Sequence, residues 1–287
     1  MAMLGIIWHL LVWKPQLKIM KKIPVLIVIT LGSICQFSCS KAKDASQTSI
    51  TGAVLDPTVQ HKVKEFGACE VQQIVYGPCC NETDTLVFTY NSWGDPALVQ
   101  RLPRPTTGAP NYIFRYDSKR RLTDVIGMYD SPTMAEFWNK YYYDKPGNSN
   151  IVKDSSFLFV EVKDNEMVSH RYSAVTYFTY DKWDRIIKDS TCSEGHTYVN
   201  NYVYDMNGNL AGRTYDNQVN IHRTNKIWMF FDRDYSLNNP FPATSYNGWG
   251  LPTKFSFTFQ EPYHMQFLSY FKNATIKYTC GKELHFH

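Results

Sequence analysis

The residues best suited to chemistry stand together in Asp232-Arg233-Asp234. On a strand, alternate side chains share a face, so the two carboxylates would point the same way. Paired carboxylates are the tools of glycoside hydrolysis. Trp228 or Tyr235 could stack on a sugar ring, and His222 could assist. The competing reading is structural. Arg233 between the two acids suggests local ion pairing, and the triplet then caps the fold; this reading is preferred. His285 and His287 share a face in a terminal segment where fraying is the expectation, so no metal is expected. The chain has no His-Glu-x-x-His motif, no Gly-rich phosphate loop and no Gly-x-Ser-x-Gly elbow. It is read as non-catalytic and free of cofactors, with a polysaccharide-acting enzyme using Asp232 and Asp234 as the alternative.

A second candidate is a binding surface. Trp93, Trp183 and Trp249 each stand two residues after an Asn or Asp (Asn91, Asp181, Asn247) in a turn-like setting. Turn tips are normally exposed, and a large apolar ring there asks for a reason. Along one edge the three indoles would form a platform for a glycan or an envelope protein. The plainer expectation is that each ring lies over the neighbouring hairpin and seals the edge.

The elements that must position these groups are hairpins. In Tyr202-Val203-Tyr204-Asp205-Met206-Asn207-Gly208-Asn209-Leu210 the two tyrosines point to one face. Asp205 can bond a backbone N–H two residues on, and Asn207-Gly208 tolerates positive φ. Leu210 restarts the apolar alternation. The same frame fits at Tyr90-Asn91, Tyr116-Asp117, Tyr143-Asp144, Tyr180-Asp181 and Tyr246-Asn247. Four of the six copies place Gly three residues after the Asp or Asn, while Arg120 and Asp184 hold that position in the others. A left-handed Arg120 would cost about 1–2 kcal/mol, so a different turn is expected there.

This Tyr-Asp-x-x-Gly-x-Leu pattern resembles the Tyr-Asp (YD) repeat of RHS-type β-rich proteins. The resemblance implies that each repeat is a β-hairpin and that successive hairpins form a curling sheet. The tyrosines are spaced irregularly, at 26, 27, 37, 24 and 42 residues. Nothing resembles that family's self-cleaving core, so an encapsulating role is not implied. Over most of residues 69–255 the chain is also similar to uncharacterised bacterial lipoproteins with such repeats, most specifically through residues 225–241. That likeness implies a fold and brings no activity with it.

The first 38 residues read as an export segment. Lys21 and Lys22 precede an apolar stretch over 23–37 that is short for a membrane span. Gln36-Phe37-Ser38-Cys39 resembles a lipobox, with Cys39 the lipidated residue, and Met20 is an alternative start. Residues 39–65 then form a polar tether, and 66–287 a single β-rich domain. The expected setting is the cell envelope, with the lipid as membrane partner. Four of the 30 Lys and Arg precede Cys39 and none of the 26 Asp and Glu do, so the remainder is neutral. Nucleic-acid binding thereby loses its electrostatic argument.

Cys69, Cys79, Cys80, Cys192 and Cys280 remain beyond Cys39, an odd number suited to an oxidising compartment. Cys69 with Cys79 or Cys80 is the disulfide expected, stapling a first hairpin over 71–76. Beyond it, short aromatic and β-branched segments follow one another, among them 86–90, 112–116, 122–128, 172–180 and 210–215. Met134 to Tyr141 is read as strand, and residues 228–235 are the best place for one turn of helix. The fold class is therefore all-β, an antiparallel meander of Tyr-Asp hairpins. More than ten such strands should twist or curl.

Overall fold

Alternation of inward and outward side chains generates almost every element. In Thr85–Tyr90, Leu86 and Phe88 are buried while Thr89 is exposed. In Asn111–Tyr116, Tyr112 and Phe114 are buried while Arg115 is exposed. A computed structural model describes residues 69–77, 84–106, 108–130, 133–164, 166–168, 172–240, 243–256 and 273–281. All belong to the unit Cys39–His287. The export segment, Cys39, the tether, Cys79, Cys80, His285 and His287 lie outside them.

The strands are β1 (Cys69–Tyr76), β2 (Thr85–Tyr90), β3 (Pro96–Leu102), β4 (Asn111–Tyr116), β5 (Leu122–Met128), β6 (Met134–Tyr142) and β7 (Lys153–Lys163). They continue with β8 (Glu166–Val168), β9 (Tyr172–Tyr180), β10 (Ile186–Ser193), β11 (His196–Asn201), β12 (Ala243–Tyr246), β13 (Pro252–Ser256) and β14 (Asn273–Cys280). They form one antiparallel sheet in the order β11-β10-β9-β7-β6-β5-β4-β3-β2-β1-β14-β13-β12, with β8 beside β7. The meander is as expected, with one addition. The last three strands return to pair on β1, so the first and last strands are neighbours inside the sheet.

That return corrects the disulfide. Cys69 and Cys280 are direct cross-strand partners with Cα atoms 4.0 Å apart, and they are bonded to each other. The pairing of Cys69 with Cys79 or Cys80 is thereby excluded. Proximity in sequence points to near neighbours, whereas strand order brings together residues 211 positions apart. Cys192 is disulfide-bonded as well.

Between β11 and β12 the chain leaves the sheet, and here the expected strand over 210–215 does not form. Only Leu210 bridges back, to Tyr204. Its N–H goes to Ser236 Oγ and its carbonyl accepts the Tyr215 hydroxyl. Side chains thus take the groups that a ladder would have used. The excursion continues into a 3-10 turn, Ile221–Thr224, and a helix α1, Lys226–Asp232. The helix is capped by Asn225, whose side chain accepts from Ile227 N–H at 2.9 Å.

Helix α1 is the plug around which the sheet curls. Trp228 meets Phe88 and Phe114 edge-on at centroid distances of 5.6 and 5.7 Å. Phe230 meets Tyr141 and Phe178 at 5.5 and 5.2 Å. Edge-to-face pairs contribute about 0.5–1.5 kcal/mol each beyond the area they bury. An apolar run such as Ile-Trp-Met-Phe-Phe has no polar face, so it is stable as a helix only when surrounded. A second, smaller apolar cluster on the opposite face centres on Ile126, Ala135 and Val160.

Candidate functional site

Five of the six Tyr-Asp copies make the same turn. At Asn91, Oδ1 accepts the N–H of Trp93 and of Asp95 at 2.9 and 3.0 Å, and the backbone closes from Asn91 N–H to Asp95 O. Asp117, Asp181, Asp205 and Asn247 repeat all of this. The third residue after each is left-handed: Gly94, Arg120, Asp184, Gly208 and Gly250 have φ between 62° and 81°. The different turn expected at Arg120 is therefore corrected. Two N–H groups held by one carboxylate fix the loop, and Arg120 adopts φ 62° within it. Its guanidinium reaches the Trp93 carbonyl at 2.9 Å and lies 5.6 Å from the Trp93 ring centroid. The true exception is Asp144. Pro146 stands two residues on and has no N–H to give, and Asp144 instead accepts from Asn148 Nδ2.

Because every neighbouring strand pair is antiparallel, all these turns fall on one rim of the sheet. A ladder of tyrosines locks that rim. The hydroxyls of Tyr116, Tyr143 and Tyr278 donate to Pro96, Leu122 and Pro252 carbonyls at 2.6–2.9 Å. Each acceptor is the fifth residue after the preceding Asx. Arginines four residues after Asp117 and Asp181 pair back onto those carboxylates at 2.7 Å.

The three tryptophans occupy this rim but are not alike. Trp93 and Trp249 are 46% and 53% exposed. Trp183 is half-buried, with Lys182 Nζ 4.3 Å and the Arg185 guanidinium 4.8 Å from its ring. The Trp93 and Trp249 turns are separated by four strand spacings, about 19 Å along the rim. Met206, one residue into the Asp205 turn, and Val219, beside Gly250, add exposed apolar surface that the sequence reading did not single out.

The Asp232-Arg233-Asp234 triplet lies inside. His222, 1% exposed, has Nε2 2.8 Å from Asp232 and Nδ1 3.8 Å from Asp234. Asp234 also accepts from Arg213 at 2.9 Å and from Ser236 N–H. Burial pulls the His222 pKa down, but the two carboxylates outweigh it and the net direction is upward. Arg233 ends the helix in a left-handed conformation, φ 53°, and turns back to the Phe230 carbonyl. Its guanidinium lies 4.5 and 4.4 Å from the Phe178 and Phe230 ring centroids and 3.8 Å from Asp189. A second buried carboxyl, Asp154, is pushed up to about 6 by burial, against the pull of Arg233. Neither Asp154 nor Asp189 had a sequence signal, since strand pairing alone brings them to Arg233. A small cavity beside the plug is lined by Val71, Ile74, Phe88, Trp228, His222 and Asp232. Among the described residues no group of acids, histidines and cysteines has metal-binding geometry.

No family model matches this chain, and no curated protein matches it. Among solved structures, a porin-like protein from Bacteroides uniformis is similar at a TM-score of 0.33 and 8% identity, over 76% of this chain and 99% of that one.

Proposed function

We propose that this is an envelope-anchored lipoprotein whose β-repeat domain is non-catalytic and binds a glycan along the turn rim. Cys39 carries the lipid in this reading, and residues 39–65 set the domain off the membrane. The observation that supports the rim is the exposure of Trp93 and Trp249 on turns held rigid by Asx bonds and the tyrosine ladder. Rigid aromatic faces bind sugars without a large ordering cost. A separation of about 19 Å suits an extended oligosaccharide rather than a single sugar.

The burial of Asp232 and Asp234 against His222, within an aromatic-filled curl, favours binding over hydrolysis. A glycosidase needs its two carboxyls flanking a substrate. The test is a glycan array probed with full-length protein in mild detergent, beside Trp93→Ala/Trp249→Ala. Binding by the wild type that vanishes in a folded double variant supports the rim. Binding that survives the double variant moves the site elsewhere. No binding by either sinks the glycan reading and turns the search to envelope proteins.

A further inference from the structure

Among the described residues, strand β11 is the one long edge of the sheet, and nothing in its sequence guards it. Its residues, His-Thr-Tyr-Val-Asn-Asn, include no charge and no proline. Its pairing with β10 runs from Ser193↔His196 to Lys188↔Asn201 without a bulge. Monomeric sheet proteins blunt such edges with lysines, prolines, bulges or a covering loop. The opposite edge shows that treatment: β12 has four residues and two register shifts against β13. All six residues of β11 are exposed, Tyr198 by 60% and Val199 by 46%.

The free backbone groups can be assigned. Glu194 and Gly195 both have positive φ, 49° and 81°, and form a two-residue hairpin turn. Ser193 and His196 are then a hydrogen-bonded pair, and so are every second pair beyond them. Tyr202 N–H to Ile187 O at 2.8 Å continues the same series. The N–H and C=O of Thr197, Val199 and Asn201 therefore point away from the sheet. Among the described residues, the returning chain covers this edge only from Val203 onward, where Ala211 N–H meets the Val203 carbonyl at 2.7 Å.

We infer that β11 pairs with β11 of a second copy of this chain, antiparallel about a two-fold axis through Val199. In that register Thr197 of one copy faces Asn201 of the other, Tyr198 faces Asn200, and Val199 faces Val199. Each outward pair exchanges two hydrogen bonds, about six in total. No like charges oppose each other, and the Val–Val contact lies on the axis. The length also fits: Ala211 stands opposite the place where the second copy's Glu194-Gly195 turn begins, so its strand stops where the edge closes. A charged or longer partner strand would lack this match. The pairing does not use the tryptophan rim.

Sedimentation of the full-length protein in density-matched detergent tests this. A concentration-dependent dimer is expected, and Val199→Lys, which sets two ammonium groups on the axis, should weaken it about tenfold or more. Val199→Cys should give a disulfide-linked dimer on a non-reducing gel that the wild type lacks. Because Val199 is exposed, both variants should keep wild-type circular dichroism. A wild type that is monomeric at about 100 μM overturns the inference, the Kd range of weak specific pairing lying below that. A dimer equally strong in Val199→Lys overturns the assignment to β11.

Discussion

Tyr116 donates its hydroxyl to the carbonyl oxygen of Pro96, 2.7 Å away on the returning strand of the preceding repeat. The contact explains why the repeat keeps tyrosine where phenylalanine would pack equally well. It joins neighbouring hairpins at the rim, where strand pairing ends. Tyr116→Phe should cost about 0.5–1.5 kcal/mol, the net worth of one hydrogen bond. Tyr143→Phe, whose partner is Leu122, should cost a similar amount. Urea titration checks both, with midpoints lowered and slopes unchanged.

The Asx turns make a sharper comparison. Asp205→Ala removes the acceptor of two backbone N–H groups, from Asn207 and Asn209. By analogy with loss of a helix N-cap it should cost about 1–2 kcal/mol. Asp144→Ala removes one exposed bond from Asn148 and should cost less than about 0.5 kcal/mol. Equal losses at the two sites would mean that the double acceptor is not what holds the rim.

Much of this was legible in the sequence, and the reason is local. A Tyr-Asx-x-x-Gly stretch carries its own turn chemistry, so the meander and the aromatic inward face could be read directly. Arg120 misled because its propensity argues against left-handed backbone, whereas the Asp117 carboxylate and contacts with Trp93 hold it there. The disulfide misled because Cys69↔Cys280 depends on the return of β14 to β1, which no local pattern announces. The plug was half visible. One turn of helix is expected over residues 228–235 and the helix spans Lys226–Asp232, but no local pattern says that a curled sheet would surround it.

The Cys69–Cys280 bond joins the run of strands from β1 to β11 to the run from β12 to β14. Closing a loop with a sequence separation of 211 residues limits the unfolded chain by up to about 5 kcal/mol in the chain-entropy view. Cys280→Ala should therefore lose about 2–5 kcal/mol. Limited proteolysis should show cleavage first around β13 and β14, because their seam with β1 is then held by strand pairing alone.

Three buried groups with raised pKa, Asp95, Asp154 and His222, give stability a downward slope with pH. The Asp154 carboxyl is raised from 3.8 to about 6. Below about pH 4 both folded and unfolded chains hold this proton; between there and 6 only the folded chain does. Its contribution is full at the acid end and lost as pH rises through 6, a change on the order of 3 kcal/mol. His222, also raised, contributes fully below its unfolded value, near 6.5, and loses that as pH rises through its higher folded value. Asp154→Asn should flatten the first part of the slope and leave the second. A stability curve that rises from pH 4 to 6 in the wild type would contradict the Asp154 assignment.

Asp232 and His222 decide between cap and active site. Their side chains are 4% and 2% exposed and 2.8 Å apart, with Asp234 on the other ring nitrogen. Removing Asp232 leaves a buried, protonated His222 with only the more distant Asp234 carboxylate, 3.8 Å away, at a cost of up to about 3–5 kcal/mol. Asp232→Asn should show that loss near pH 6, where His222 is protonated. The loss should shrink as pH rises past the folded value of His222, because a neutral imidazole accepts an amide partner without penalty. A structural role with no charge on His222 would give a loss independent of pH. Unchanged stability in the Asp232→Asn/Asp234→Asn variant would defeat the cap reading altogether, and the two carboxylates would again have to be tried as a hydrolytic pair.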